Sequence, residues 1–204
     1  MVCRLVYHGC GGDVVSGHKE YKPKTGEKFT YQDYLQLPDE PGYRYEILNG
    51  VLVKDPSPDV LHQRVVLRLV RILGDFFKEF DPEGEVFIAP LDVTFADISV
   101  VQPDLFYVSG KQKQIVKDTR IDGAPALVVE VISSTSSRKD RLHKLHIYKE
   151  GKVRHYWLVN PGEKTLECFI LRDGEYFLSA SGMESDIVVH QSFPGLTIDL
   201  SRLW

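Results

Sequence analysis

Val100-Val101-Gln102-Pro103-Asp104-Leu105-Phe106-Tyr107-Val108 and Ala126-Leu127-Val128-Val129-Glu130-Val131-Ile132-Ser133 are the two runs on which the reading of this chain turns. Both are short, rich in β-branched and aromatic residues, and bounded by Pro or Gly, which is the signature of a β-strand. A continuous apolar run marks a strand covered on both faces. Asp104 and Glu130 are therefore out of place, because an ionised carboxylate in such a setting is costly without a cation, donor or water to compensate it. A basic helical segment follows the second run, Ser136-Ser137-Arg138-Lys139-Asp140-Arg141-Leu142-His143-Lys144-Leu145. Two strand carboxylates with a lysine nearby can form a metal-assisted hydrolytic site.

The rest of the composition is that of an ordinary soluble globular chain. It has 204 residues, 43% hydrophobic and 26% charged, a length that buries a substantial core without staples. No apolar run approaches the ~20 residues of a membrane span, and the N-terminus lacks a signal-peptide pattern. Three widely spaced cysteines argue against a disulfide framework and for a reducing, cytoplasmic setting. A net charge of −4 offers no global attraction to polyanions, so nucleic acid would have to bind through local patches. Two patches qualify: Lys111, Lys113, Lys117 and Arg120 after the first run, and Arg138, Lys139, Arg141 and Lys144 after the second. Either also reads as a solvated face.

Residues 1–29 form an irregular N-terminal arm without sustained periodicity, and residues 30–204 form the folded domain. Cys3, His8, Cys10 and His18 lie in the arm, but their spacing matches no paired zinc-ligand pattern. Thr30 and Asp33 have the form of a capping box ahead of a short helix through Leu37, which Pro38 stops. Asn49-Gly50 between two strand-like runs predicts a tight hairpin. Asp59 is positioned to cap a long amphipathic helix from about Val60 to Phe80, with Leu61, Val65, Leu69, Leu73 and Phe77 among its apolar positions. A polar, basic connection spans 109–122, a helix runs from Arg138 to Lys149, and strands follow to the C-terminus. The expected class is α/β (α+β), a mixed central sheet flanked by helices.

In order, the chain carries Tyr45-Glu46-Ile47-Leu48-Asn49-Gly50, His62, Ala89-Pro90-Leu91-Asp92-Val93, Gln102-Pro103-Asp104-Leu105 and Gly123-Ala124-Pro125. Val129-Glu130-Val131-Ile132-Ser133-Ser134-Thr135-Ser136, Asp140, Lys144, Tyr156-Trp157-Leu158-Val159-Asn160-Pro161 and Phe193-Pro194-Gly195-Leu196 complete the series. This ordered set, from about Thr30 to Trp204, resembles the Uma-two family of restriction-endonuclease-like proteins. The resemblance implies a PD-(D/E)XK nuclease fold and a metal-dependent phosphodiesterase site acting on nucleic acid, with DNA the expected substrate. It implies that Asp104 and Glu130 are the catalytic, metal-binding acids, with the Val131 carbonyl a candidate third ligand. Mg²⁺ is the expected ion, with Mn²⁺ an alternative. The superfamily's usual lysine falls two residues after the second acid, where this chain has Ile132. The resemblance implies that Lys144 takes that role from the next helix.

Three further residues are accessory candidates. Glu46 fits an outer ligand to metal-bound water or a pin for the hairpin. His62 fits a phosphate or substrate contact or a structural histidine at a helix start, and Asp92 fits either the acid cluster or a hydrogen bond to a neighbouring backbone. Asp140 and Lys144, four apart on a helix, also fit a plain surface pair. A homodimer would suit duplex cleavage. Ile132 also leaves room for a scaffold that has lost catalysis and retains nucleic-acid or protein binding.

Overall fold

The computed structural model describes residues 19–21, 27–133 and 138–204, with backbone alone for 19–21 and 138–140. Its first half contains β1 (Lys19–Tyr21), α1 (Tyr31–Tyr34), β2 (Tyr43–Leu48), β3 (Val51–Pro56), α2 (Val60–Phe80), β4 (Glu85–Ile88), β5 (Val93–Ala96), β6 (Ser99–Val101) and β7 (Leu105–Val108). A 3-10 turn over Gly110–Ile115 leads to β8 (Ile121–Asp122), β9 (Leu127–Val131), α3 (Arg138–Glu150), β10 (His155–Asn160), β11 (Thr165–Arg172), β12 (Glu175–Met183), β13 (Ile187–Val189) and β14 (Thr197–Asp199).

Local signals act where expected. Asn49 and Gly50 both take positive φ, 52° and 82°, closing the β2–β3 hairpin with Leu48 opposite Val51. The Asp59 side chain caps α2 by accepting from the His62 amide, and Thr30 with Asp33 forms the capping box of α1. That helix is shorter than predicted, but i→i+3 bonds at Gln36 and Leu37 carry the coil on to the expected stop.

The central sheet runs β12-β11-β10-β9-β7-β4 and is mixed: β9 and β10 are parallel, the other pairs antiparallel. Helix α2 covers one face through Val65, Leu69, Leu73 and Phe77, against Leu105, Tyr107, Leu127, Val129 and Trp157. On the other face Phe106, Val128 and Tyr156 meet Ile147 and Tyr148 of α3. Burial on both sides is why the β7 and β9 runs are continuously apolar.

Beside it stands a second six-stranded sheet, β1-β3-β2-β6-β5-β8, which the sequence reading had not separated from the first. The run Val100–Val108 is not one strand. It ends in the second sheet as β6 and resumes in the central sheet as β7. Pro103 has no N–H to offer a ladder, and the Gln102 amide donates to Glu46 Oε1 at 2.7 Å instead of to a strand. Asp104 thus lies at the junction between sheets. Strand β1, inside the segment read as an irregular arm, pairs with β3. Cys3, His8, Cys10 and His18 lie outside the described residues, as do Ser134–Ser137 and the Asp140 side chain. No described helix is long and apolar enough to cross a membrane.

Candidate active site

Strand parity brings the two anomalous acids together. β7 and β9 pair with Leu105 opposite Val129 and Phe106 opposite Val128. One step further along that register sets Asp104 opposite Glu130, on the face that carries Phe106 and Val128. Cross-strand neighbours have Cβ atoms about 5 Å apart. The Val131 amide donates to Asp104 Oδ2 at 2.9 Å, tying the first acid to the strand of the second.

Three other elements converge there. From β2, Arg44 and Glu46 share one face, two residues apart. Arg44 Nη1 donates to Asp104 Oδ1 at 3.1 Å. From the first turn of α2, His62 Nε2 lies 3.0 Å from Asp104 Oδ2, its ring brought there by the Asp59 cap. From α3, Lys144 Nζ lies 3.0 Å from Glu46 Oε2 and 3.3 Å from both Glu130 oxygens. Tyr148, one helical turn on, donates its hydroxyl to Glu130 Oε1. Glu46, Asp104, Glu130 and Lys144 are 0%, 3%, 7% and 4% exposed, so these are not surface ion pairs.

The cluster sets three carboxylates against two cations, Arg44 and Lys144, with His62 beside them. Burial would raise the pKa of Asp104. The His62 hydrogen bond and the charges of Arg44, His62 and Lys144 outweigh that and hold it well below the ordinary carboxylate range. Glu130 moves the other way. Burial, together with Asp104 and Glu46 nearby, pushes it up to about 8 against the pull of Lys144 and Tyr148. Desolvation works against the Arg44 charge, but Asp104, Glu46 and Glu130 together raise its pKa further. The cluster's excess negative charge is therefore relieved at Glu130, the carboxylate ready to take up a proton.

Among the described residues, no three His, Cys, Asp or Glu side chains form a ready-made metal cage. Mg²⁺ does not need one, since it keeps several waters and is bound through one or two carboxylates. Asp104 and Glu130 could supply those. In extended backbone the N–H and C=O of one residue face the same side, so the Val131 carbonyl lies on the side of Asp104. Hard oxygens of this kind suit Mg²⁺ or Mn²⁺. Two buried nitrogens at the site, His62 Nδ1 and Arg44 Nε, have no protein partner, leaving capacity for water or a ligand oxygen.

Of the residues singled out from sequence, Asp104, Glu130, Lys144, Glu46 and His62 are thus brought together. Asp92 is set aside: it accepts from Tyr34 Oη at 2.8 Å and Gln102 Nε2 at 2.9 Å and reaches the cluster only through Gln102. Ile132 continues the strand, its amide bonded to the Val159 carbonyl at 2.8 Å. Sequence reasoning missed Arg44 and Tyr148. A signal existed for each, since Arg44 is two residues from Glu46 on a strand and Tyr148 four from Lys144 on a helix. Tyr156 and Trp157 are core residues.

The cluster opens to solvent through a cleft lined by Arg44, Asp55, Glu130, Ser133, Arg141 and Lys144, among others. The basic patch after β7 is largely spent on internal contacts. Lys113 pairs with Glu83, Lys117 bonds the Gln114 carbonyl, and Arg120 pairs with Asp122 and sits over the Tyr31 ring.

Comparison with known proteins identifies the family and the fold. Residues 31–201 match the model of a family named Uma2 and described as "Putative restriction endonuclease". An uncharacterized protein of Synechocystis sp. is 22% identical over 138 residues, covering 67% of this chain and 77% of its own. The crystal structure of a protein from Anabaena variabilis, described as a "putative nuclease" of DUF820, superposes with a TM-score of 0.68. The two are 19% identical, over 85% of this chain and 96% of that one. At that identity the likeness establishes the restriction-endonuclease-like fold.

Proposed function

We propose that this chain, which belongs to the Uma2 family, is a cytoplasmic, Mg²⁺-dependent endonuclease that hydrolyses phosphodiester bonds in DNA. The observation that carries this reading is the convergence of Glu46, Asp104 and Glu130 with the Lys144 ammonium at 3.0 and 3.3 Å. Asp104 and Glu130, with the Val131 carbonyl, are the groups that would hold the ion. Bound there, Mg²⁺ supplies Lewis-acid neutralisation of the phosphoryl oxygens and lowers the pKa of a water. Lys144, set between two of the acids, would orient the attacking water and stabilise the charge that develops. Glu46 and Tyr148 keep that ammonium and Glu130 in register. His62 and Arg44 fix the Asp104 carboxylate, so little reorganisation is needed as charge moves.

The test is a cleavage assay over single- and double-stranded DNA and RNA with Mg²⁺ or Mn²⁺. Wild type should cut DNA, and Glu130→Ala and Asp104→Ala should each abolish metal-dependent cleavage with the fold retained by circular dichroism. Wild type that cuts nothing under these conditions would overturn the reading in favour of a binding module, the alternative that Ile132 leaves open.

A further inference from the structure

We infer that Arg141 is the residue that anchors a backbone phosphate of the polynucleotide at the mouth of the cleft, with Arg44 on the adjoining β2 side. This rests on the nuclease reading and names a substrate contact within it. Arg141 lies three residues before Lys144 on α3, so both side chains share one helix face, and both line the cleft that opens onto Glu130. Nearly every other cation at this site has a protein partner: Lys144 is held by Glu46 and Glu130, and Arg44 by Asp104. Arg141 is partly exposed and has no hydrogen bond or ion pair among the described residues. A guanidinium carries five donors in a planar fork matched to phosphate oxygens. Arg44 adds to the same wall, its side chain 23% exposed.

Although the chain as a whole carries −4, and Asp104, Glu46 and Glu130 engage Arg44 and Lys144, Arg141 adds a further guanidinium to the cleft wall. The other basic patch lies away from this cleft, and Lys113, Lys117 and Arg120 there make exposed intramolecular contacts. Within it, Lys111 is exposed and serves as the control. A strand held at Arg141 would pass its next phosphate toward Glu130 and Lys144, which makes Arg141 a positioning residue rather than part of the chemistry.

The experiment measures anisotropy of a fluorescein-labelled DNA duplex with wild type, Arg141→Gln and Lys111→Gln, in EDTA to prevent cleavage, over 50–300 mM salt. Removing one phosphate contact lowers the slope of log K against log[salt] by about 0.9 and weakens binding about fivefold near 150 mM. Arg141→Gln should show both, with an unchanged melting temperature, and Lys111→Gln should show neither. With Mg²⁺, the loss in Arg141→Gln should fall on KM more than on kcat. An unaltered slope and affinity in Arg141→Gln, or the loss appearing in Lys111→Gln instead, would overturn the assignment while leaving wild-type binding intact. Wild type that shows no salt-dependent binding at all would remove the nucleic-acid reading, and the anchor with it.

Discussion

Replacing Lys144 with Met probes the charge balance of the cluster directly. The ammonium lies 3.0 Å from Glu46 and 3.3 Å from Glu130. At an effective dielectric constant of ~20, each contact is worth about 5 kcal/mol gross. Burying the ammonium costs several kcal/mol, so the net loss falls near the 3–5 kcal/mol typical of breaking a buried ion pair. The loss must depend on pH. Glu130 has a folded pKa of about 8 against 4.5 for an ordinary glutamate. A group raised in this way contributes stability that is fully present below pH 4.5 and lost as pH rises through 8. At pH 6 Glu130 is protonated with or without the lysine, so the ion pair that the substitution chiefly removes is the one to Glu46. At pH 9 wild-type Glu130 is ionised and held by Lys144, whereas the variant must bury two adjacent carboxylates or retain a proton. Urea denaturation in EDTA should therefore show a deficit of about 1–3 kcal/mol at pH 6 and about 3–5 kcal/mol at pH 9. The larger value corresponds to roughly 10 °C in melting temperature for a chain of this size. A deficit equal at the two pH values, or below about 1 kcal/mol at pH 9, would refute the reasoning.

Two further outcomes follow from the same packing. His155 is buried beside His190 and Arg154, and burial first, then those neighbours, lower its pKa to about 3. A depressed histidine contributes stability that is present above its unfolded value of ~6.5 and lost as pH falls toward the folded one. His155→Phe should flatten the decline in denaturant stability between pH 6.5 and 3, and an unchanged profile would exclude His155 as its source. Asp59→Ala removes the α2 cap and should cost about 1 kcal/mol. Because the same bond sets the first turn that presents His62 to Asp104, the variant should also lose cleavage activity, restored by Asp59→Asn or Asp59→Ser. Activity unaffected by the alanine would separate the cap from the site.

Much of the fold was legible because its signals are local or periodic. Asn49-Gly50 tolerates the positive φ that a tight hairpin demands, α2 shows its apolar stripe, and β7 and β9 show the unbroken hydrophobicity of strands covered twice. The two acids stood out for the same reason, as charges interrupting those runs. The division into two sheets was hidden, because no pattern of side chains states which sheet a strand joins. It hinges on Pro103 lacking a donor and on a distant Glu46 taking the Gln102 amide.

The amino-acid order by itself determined which residues were anomalous: Asp104 and Glu130 in apolar strands, a missing lysine at 132, a basic helix after the second acid. Tertiary structure alone decided which groups compensate them. Arg44 reaches Asp104 across 60 residues, His62 across 42 and Lys144 reaches Glu130 across 14, while Asp92 is drawn off to Tyr34 and Gln102. A buried charge is stabilised by whatever donor lies within about 3 Å, and that is set by the faces that meet where the sheets and helices adjoin.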